Sequence, residues 1–314
     1  MASGVTTTTQ VDPEVGIYFD NILLDRHQPY YVHGYFAQER RIPQKNSKSA
    51  IFRRFDNLAD ALTPLTEGVT PNAEQVSKFD ITAVVSQYGK VVELSDDVII
   101  TVQDQTSNEV ADMLTQNMWS TYDKLIRNML AATAAQIDCL NGVNGNAITE
   151  ITTTDVELAI DYLTENNGKK LSPNEEGTNA FGTAPVWAAF WMIINTAIRS
   201  NVKNLSNFLS TAQYPRQQSV LEAEYGSLDE VRVVMTSEGY VDTTTSPYVY
   251  SNFMFAANAY GRIAIDDQSM EMIIKPLGAG EDALNQRQTM GWKGRLGCVI
   301  LDDSWVINLR CTAA

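Results

Sequence analysis

The sequence predicts an α+β chain, and three observations carry the prediction. Residues 106–141 have the period of one long amphipathic helix. The runs 50–55 and 76–94 have strand character and flank a segment rich in turn formers. Further strand-like runs follow at 231–235, 248–265 and 272–276. At 314 residues there is room for one large domain or two medium ones.

Thr106 and Glu109 have capping-box spacing at the start of the helix. Val110, Leu114, Met118, Leu125 and Met129 then share one face. Ala131, Ala132, Ala134 and Ala135 favour helix, and Asn141-Gly142 supplies a stop that tolerates left-handed backbone. Such a rod would be roughly 50 Å long, too long to hide in one compact core. It is expected to span a flat or elongated subunit, although a long bundle helix has the same period.

Composition narrows the function classes. Hydrophobic residues make up 44%, enough for a real core. The 23 Lys and Arg against 38 Asp and Glu give a net charge of −15. That argues against tight phosphate-neutralising binding of nucleic acid, but not against enclosing it. Cys139, Cys298 and Cys311 form no C-x-x-C pair, so buried reduced thiols are expected rather than disulfides or zinc. No apolar run reaches the roughly 18 residues that span a bilayer, and no membrane partner is expected. Residues 1–10 are Thr-rich and lack the basic-then-apolar pattern of a secretory signal.

Residues 1–13 read as a tail. Residues 16–48 carry Tyr18, Phe19, Tyr30, Tyr31, Tyr35 and Phe36 with little periodicity, which suits an arm that docks on something. His27 and His33 are the only histidines, lack neighbouring ligands, and are read as surface or arm-packing groups. Arg40, Arg41, Lys45, Lys48, Arg53 and Arg54 form the one basic cluster, either solvated or facing acidic surface on another copy.

In the run 76–94, Phe79, Ile81, Ala83 and Val85 alternate with more polar neighbours, and Tyr88-Gly89-Lys90 suggests a bulge or bend. With 50–55 this predicts a long two-stranded excursion. An isolated hairpin is marginal in water, so a partner surface is implied, most simply another subunit.

The order LTEGVTP, then KFDITAVVSQYGKVVELSDD, then a long helix resembles the major capsid proteins of tailed phages. More narrowly it is similar to the family typified by the capsid protein of coliphage N-four. A second block agrees: Asp282, Leu284, Asn285, Gln286, then Gly291, Trp292 and Lys293 match that family's C-terminal pattern of an acidic-Pro-Leu-Asn-Gln stretch, Gly-Trp-Lys and a strand pair, with Ala283 in place of its usual Pro. The resemblance covers roughly residues 50–310. It implies the Hong Kong 97 capsid fold: an N-terminal arm (1–49), an extended hairpin or E-loop (50–97), a peripheral P-domain whose first part (98–150) contains the spine helix 106–141, a mainly axial A-domain (151–245), and P-domain return strands (246–314).

Between these blocks, residues 142–145 break the chain. Thr152 to Asp155 give cap chemistry for a short helix to about Thr164. Residues 166–182 read as a surface loop, 184–190 as a buried strand, although their Trp and Ala also suit a helix, and 195–203 as helical. Residues 222–237 read as a turn followed by a strand with Val231, Val233 and Met235 on one face. Trp187 and Trp191, four apart, are expected in the core.

Chemistry is sparse. There is no P-loop, dinucleotide fingerprint or G-x-S-x-G elbow. The pairs Asp96-Asp97, Asp266-Asp267 and Asp302-Asp303 are read as loop or turn carboxylates, because hard cations need more oxygen ligands than a pair supplies. No catalytic, cofactor or metal residues are assigned, and no enzyme activity is expected.

The expected function is self-association into an icosahedral shell around double-stranded DNA. Its predicted subunit contacts are Arg53, Arg54, Leu65, Thr66, Glu67, Gly68, Pro71, Tyr88, Lys90, Trp292 and Lys293. Partners implied are other copies in hexamers and pentamers, a portal, possible decoration proteins and a separate scaffolding protein, since no long charged helical region opens the sequence. A nanocompartment shell and a metal-dependent hydrolase remain as alternatives.

Overall fold

A computed structural model describes residues 29–65, 67–68, 70, 72–101, 106–133, 135–171, 188–214, 220–265, 270–278 and 284–313. The expectations for the tail, the first part of the arm, His27, the loop beyond residue 171, Trp187 and Asp266-Asp267 lie outside these residues, as do those for Asp282 and Ala283.

In chain order the elements are β1 (Gln38–Ile42), β2 (Ser49–Phe55), β3 (Lys78–Val84), β4 (Ser86–Ser95), α1 (Asp96–Thr101), α2 (Thr106–Ala131), β5 (Gln136–Asp138), α3 (Thr153–Glu165), β6 (Phe190–Asn195), α4 (Arg199–Lys203), β7 (Phe208–Ser210), β8 (Glu224–Leu228), β9 (Val231–Thr236), β10 (Val241–Asp242), β11 (Val249–Phe255), β12 (Tyr260–Ile265), β13 (Met270–Lys275), β14 (Arg287–Ile300) and β15 (Val306–Thr312). They form the predicted α+β fold.

Three sheets result. In the first, the long strand β14 is central, antiparallel to β4 on one side and to β13 and then β12 on the other, with β1 parallel to β12. The second is eight-stranded, in the order β5-β15-β11-β6-β9-β8-β7 with β10 on β11. The third is the two-stranded ribbon of β2 and β3.

The helix α2 carries its apolar residues four apart. Val110, Leu114, Met118, Tyr122, Ile126 and Leu130 are buried against Met290, Trp292 and Leu296 of β14 and against Trp191, Phe253 and Phe255 of the second sheet. One helix therefore serves both sheets. The opposite face of the second sheet packs on α3, whose Val156, Ala159 and Leu163 meet Phe190, Met192, Met254, Ile307 and Leu309. Strand β6 is buried at every position, as its apolar run Phe190 to Ile194 requires of a strand covered on both faces. The cap of α3 is as read: Thr152 Oγ1 accepts from Asp155 N, and the Asp155 carboxylate accepts from Thr152 N at 3.0 Å.

Several expectations need correction. The helix stops at Ala131, ten residues before Asn141, giving 26 residues and about 39 Å. Ala132 N and Thr133 N bond back to Met129 and Leu130 in a tightened last turn, and β5 then pairs in parallel with β15. Sheet pairing overrides the helix preference of the alanines. The Thr106 side chain, and so the predicted capping box, lies outside the described residues.

The segment 29–48 is not a free arm. Val32, Phe36 and Ala37 are buried in the chain's own core, and β1 joins the first sheet. The interruption in the run 76–94 falls at Val85, between β3 and β4, while Tyr88-Gly89-Lys90 continues in regular register with β14. Residues 224–228 form a strand rather than a turn, and the buried strand near residue 190 begins at Phe190 instead of ending there. The tail strands β14 and β15 do not pair with each other. They enter different sheets, so residues 249–255 and 306–312 join the sheet that holds 190–195 and 231–236.

Candidate self-association surface

The ribbon has a seated base and an uncovered tip. Seven residue pairs join β2 to β3, from Ser49↔Val84 to Phe55↔Lys78. At the base, Phe52 is 5% exposed and packs with Ile42, Ala83, Val85 and Ile263. Gly261 makes room for it: a Cβ there would lie 2.8 Å from Phe52 Cζ. The Arg40 guanidinium covers the same ring at 4.5 Å.

Arg54 reaches back to the body. It pairs with the Asp302 carboxylate and lies 5.7 Å from the Phe79 ring and 5.9 Å from the Trp305 ring. Burial pushes the Asp302 carboxyl up, but bonds from Ser304 and Arg54 outweigh it and hold the group below the usual carboxylate range. A depressed folded pKa means this anchor is present at neutral pH and is lost only as pH falls through that lowered value. Asp302 also accepts from Ser304 N at 3.0 Å, so it is a turn carboxylate, as read, whereas Asp96 and Asp97 open the helix α1. Arg53 is bound within the ribbon to Asp80 at 2.7 and 3.1 Å.

Beyond Phe55 the chain meets almost nothing. Leu62 is 87% exposed and Leu65 76%. Ile51, Phe55, Leu58, Val76, Phe79 and Val84 are also exposed large hydrophobics, so eight of the 22 on the described residues lie on this one excursion. Scattered exposed apolar side chains are ordinary, but a cluster on one projection marks a contact surface. Gly68 has φ +78°, a left-handed turn position, with no other residue's atoms near a Cβ placed there.

The predicted contact residues divide accordingly. Leu65, Glu67 and Gly68 are on the exposed tip, and Thr66 and Pro71 lie outside the described residues. Lys90 is exposed on the edge strand β4, and Lys293 pairs with Glu271 at 3.2 Å. Tyr88 is half-buried against the core. Trp292 is a correction: it is 3% exposed, and its Nε1 donates to Asn117 Oδ1 of α2 at 3.1 Å. It joins β14 to the helix and has no side chain to offer a neighbour.

Of the two readings of His33, surface or arm packing, the structure has the second, and what sequence reasoning missed is its partner Asp123. His33 is fully buried, its backbone N donates to Asp123 Oδ1 at 2.9 Å, and its Nδ1 lies 2.7 Å from Asp123 Oδ2. Tyr260 donates to the His33 carbonyl at 2.7 Å. This pair fastens residues 29–37 to α2, and no local spacing announces it. Cys139 and Cys311 are buried, and the adjoining Cys311 thiol together with burial pushes the Cys139 thiol up. Cys298 is half-buried. Among the described residues no group of three or more His, Cys, Asp or Glu could hold a metal ion, and no helix is long and apolar enough to cross a membrane.

Comparison with known proteins decides what this surface belongs to. Residues 78–309 match the model of a family described as phage capsid protein. The chain belongs to the phage capsid protein family. No curated protein sequence matches it. Its fold is similar to the capsid of Ralstonia phage GP4 (11% identity, 99% of each chain covered, TM-score 0.68). It is also similar to the capsid of cyanophage P-SCSP1u (15% identity, 99% of this chain and 96% of that one, TM-score 0.66) and to that of cyanophage Pam1 (14% identity, 100% of each, TM-score 0.63). As a phage capsid protein the chain is a structural component of the virion shell, and it works through contacts between copies of itself.

Proposed function

We propose that this is the major capsid protein of a tailed phage and that its copies close an icosahedral shell around double-stranded DNA. The observation that carries the proposal is the ribbon, fixed at its base by Phe52 and Arg54 and bearing uncovered leucines at its tip. Apolar surface held away from its own chain is stabilised when a neighbour covers it. Each such contact is weak, and repetition around a closed lattice makes the whole strong.

In Hong Kong 97 terms, the ribbon and its tip are the E-loop, the first sheet with α2 is the P-domain, and the second sheet with α3 is the axial domain. Arg53, Arg54, Leu65, Thr66, Glu67, Gly68 and Pro71 supply or position the E-loop contact, and Lys90 and Lys293 face neighbouring copies. The acidic balance of the chain leaves packaged DNA loosely held, which suits ejection. A separate scaffolding protein, a portal and decoration proteins complete the head, assembled in the host cytoplasm. The role is structural, without catalysis.

Sedimentation and negative-stain microscopy of the overexpressed chain test this. The expected result is megadalton closed or aberrant shells, with correct closure improved by the scaffolding protein. A small oligomer of fixed size at every concentration would contradict it.

A further inference from the structure

Charge is sorted along the ribbon. Residues 40–55 hold six cations and no acid, and residues 56–77 hold four acids and no cation. Four of the cations are engaged within the chain. Arg40 donates to the Ile51 carbonyl at 3.1 Å, Arg41 pairs with Glu39 at 3.0 Å, Arg53 with Asp80, and Arg54 with Asp302. Lys45 and Lys48 are exposed and have no partner among the described residues. They stand in the turn between β1 and β2, beside an open hollow of about 560 Å³ whose wall includes Ile265 and Arg295 and no described carboxylate.

At the other end, Glu74 accepts from Ala59 N and Asp56 from Ser77, both locally. The side chains of Asp60 and Glu67 are exposed and unpartnered among the described residues. Lys45 and Lys48 lie at the base of the ribbon, next to the Ser49↔Val84 pair, while Asp60 and Glu67 lie past the Phe55↔Lys78 pair. Strands of this length span roughly 20 Å, so the tip cannot neutralise its own base.

We propose that the acidic tip of one copy seats against the lysine turn at the base of the next copy's ribbon. The proposal rests on the shell reading above and names the surface that receives the tip. A contact between two different patches is head-to-tail, the kind that closes rings. Tip on tip and base on base bring like charges together, so charge selects the correct neighbour and register. Exposed ion pairs contribute little on their own, and covering Leu58, Leu62 and Leu65 supplies most of the attraction.

The test compares Lys45→Glu/Lys48→Glu, Asp60→Lys/Glu67→Lys, and all four changes together, under conditions that give native shells. Each pair of changes is expected to lower shell yield by about tenfold, since two ion pairs per contact become repulsive. The fourfold variant restores the opposite signs and is expected to recover most of that yield. Circular dichroism and melting of free subunits should match the native chain, because none of the four side chains has a partner among the described residues. Native yield from either pair variant, or no recovery in the fourfold variant, would overturn the proposal. If those variants assemble normally while a chain lacking the tip does not, only the docking address is wrong. If the chain lacking the tip also assembles, the shell role of the ribbon itself fails.

Discussion

Deleting residues 65–75 is expected to abolish shells and leave folded, soluble subunits. The deletion removes the outer part of the tip but spares the seven pairs of β2 with β3 and the seat of Phe52. The intrachain anchors of the ribbon, Arg54 to Asp302 and Arg53 to Asp80, also remain. The two large cores share no residue with the deleted segment, so subunit stability should hardly change. Assembly is another matter. Each copy both gives a tip and receives one, so weakening that contact weakens every link in the lattice. Multivalent reinforcement of about 10²-fold or more is lost when the individual contact fails. Sedimentation should show only slow species, with the near-ultraviolet circular dichroism of native subunits. Shells at native yield would show that the tip is dispensable.

The second large effect is on the subunit. Asp123→Ala should destabilise the isolated chain by about 2–6 kcal/mol, because it orphans two buried donors on His33 at roughly 1–3 kcal/mol each. Those donors are the backbone N at 2.9 Å and the imidazole Nδ1 at 2.7 Å. His33 is fully buried and its ring meets Phe253 edge-on at 6.1 Å, while Asp123 also lines a hollow of about 300 Å³, so water entering from that side would bring the loss toward the lower end of the range. Residues 29–37 should loosen from α2, and Phe36, whose ring centre lies 4.8 Å from that of Trp191 at a tilt of 33°, should lose its packing with them. Urea unfolding of tip-deleted subunits, followed by tryptophan fluorescence, measures the change. A midpoint within error of the native value would contradict the fastening role of this pair.

These two expectations differ in how legible they were. The ribbon was readable because its signals are local: alternating Phe79, Ile81 and Ala83, and a turn-rich run between two strands. The face of α2 was readable for the same reason, in the spacing of Val110, Leu114 and Met118. Its end was not. Asp138 pairs with Arg310 across 172 residues of sequence, and nothing near Ala131 reports that strand. The His33–Asp123 pair spans 90 residues and has no motif at all.

Trp292 is a different kind of miss, because a signal was available. In β14, Met290, Trp292 and Leu296 alternate with Gly291 and Lys293. Period-two reasoning sends Trp292 inward and Lys293 outward. The resemblance drew attention to the block as a unit, and the alternation within it decides which side chain a neighbour can touch.

The most direct measurement is an electron cryomicroscopy reconstruction of assembled particles, resolved well enough to trace β2 and β3 from base to tip. The expected density shows each ribbon leaving its own subunit beyond Phe55 and lying across the adjacent copy, with Leu62 and Leu65 covered there. Density in which every tip rests on its own chain, with subunit boundaries made elsewhere, would contradict the central role given to the ribbon.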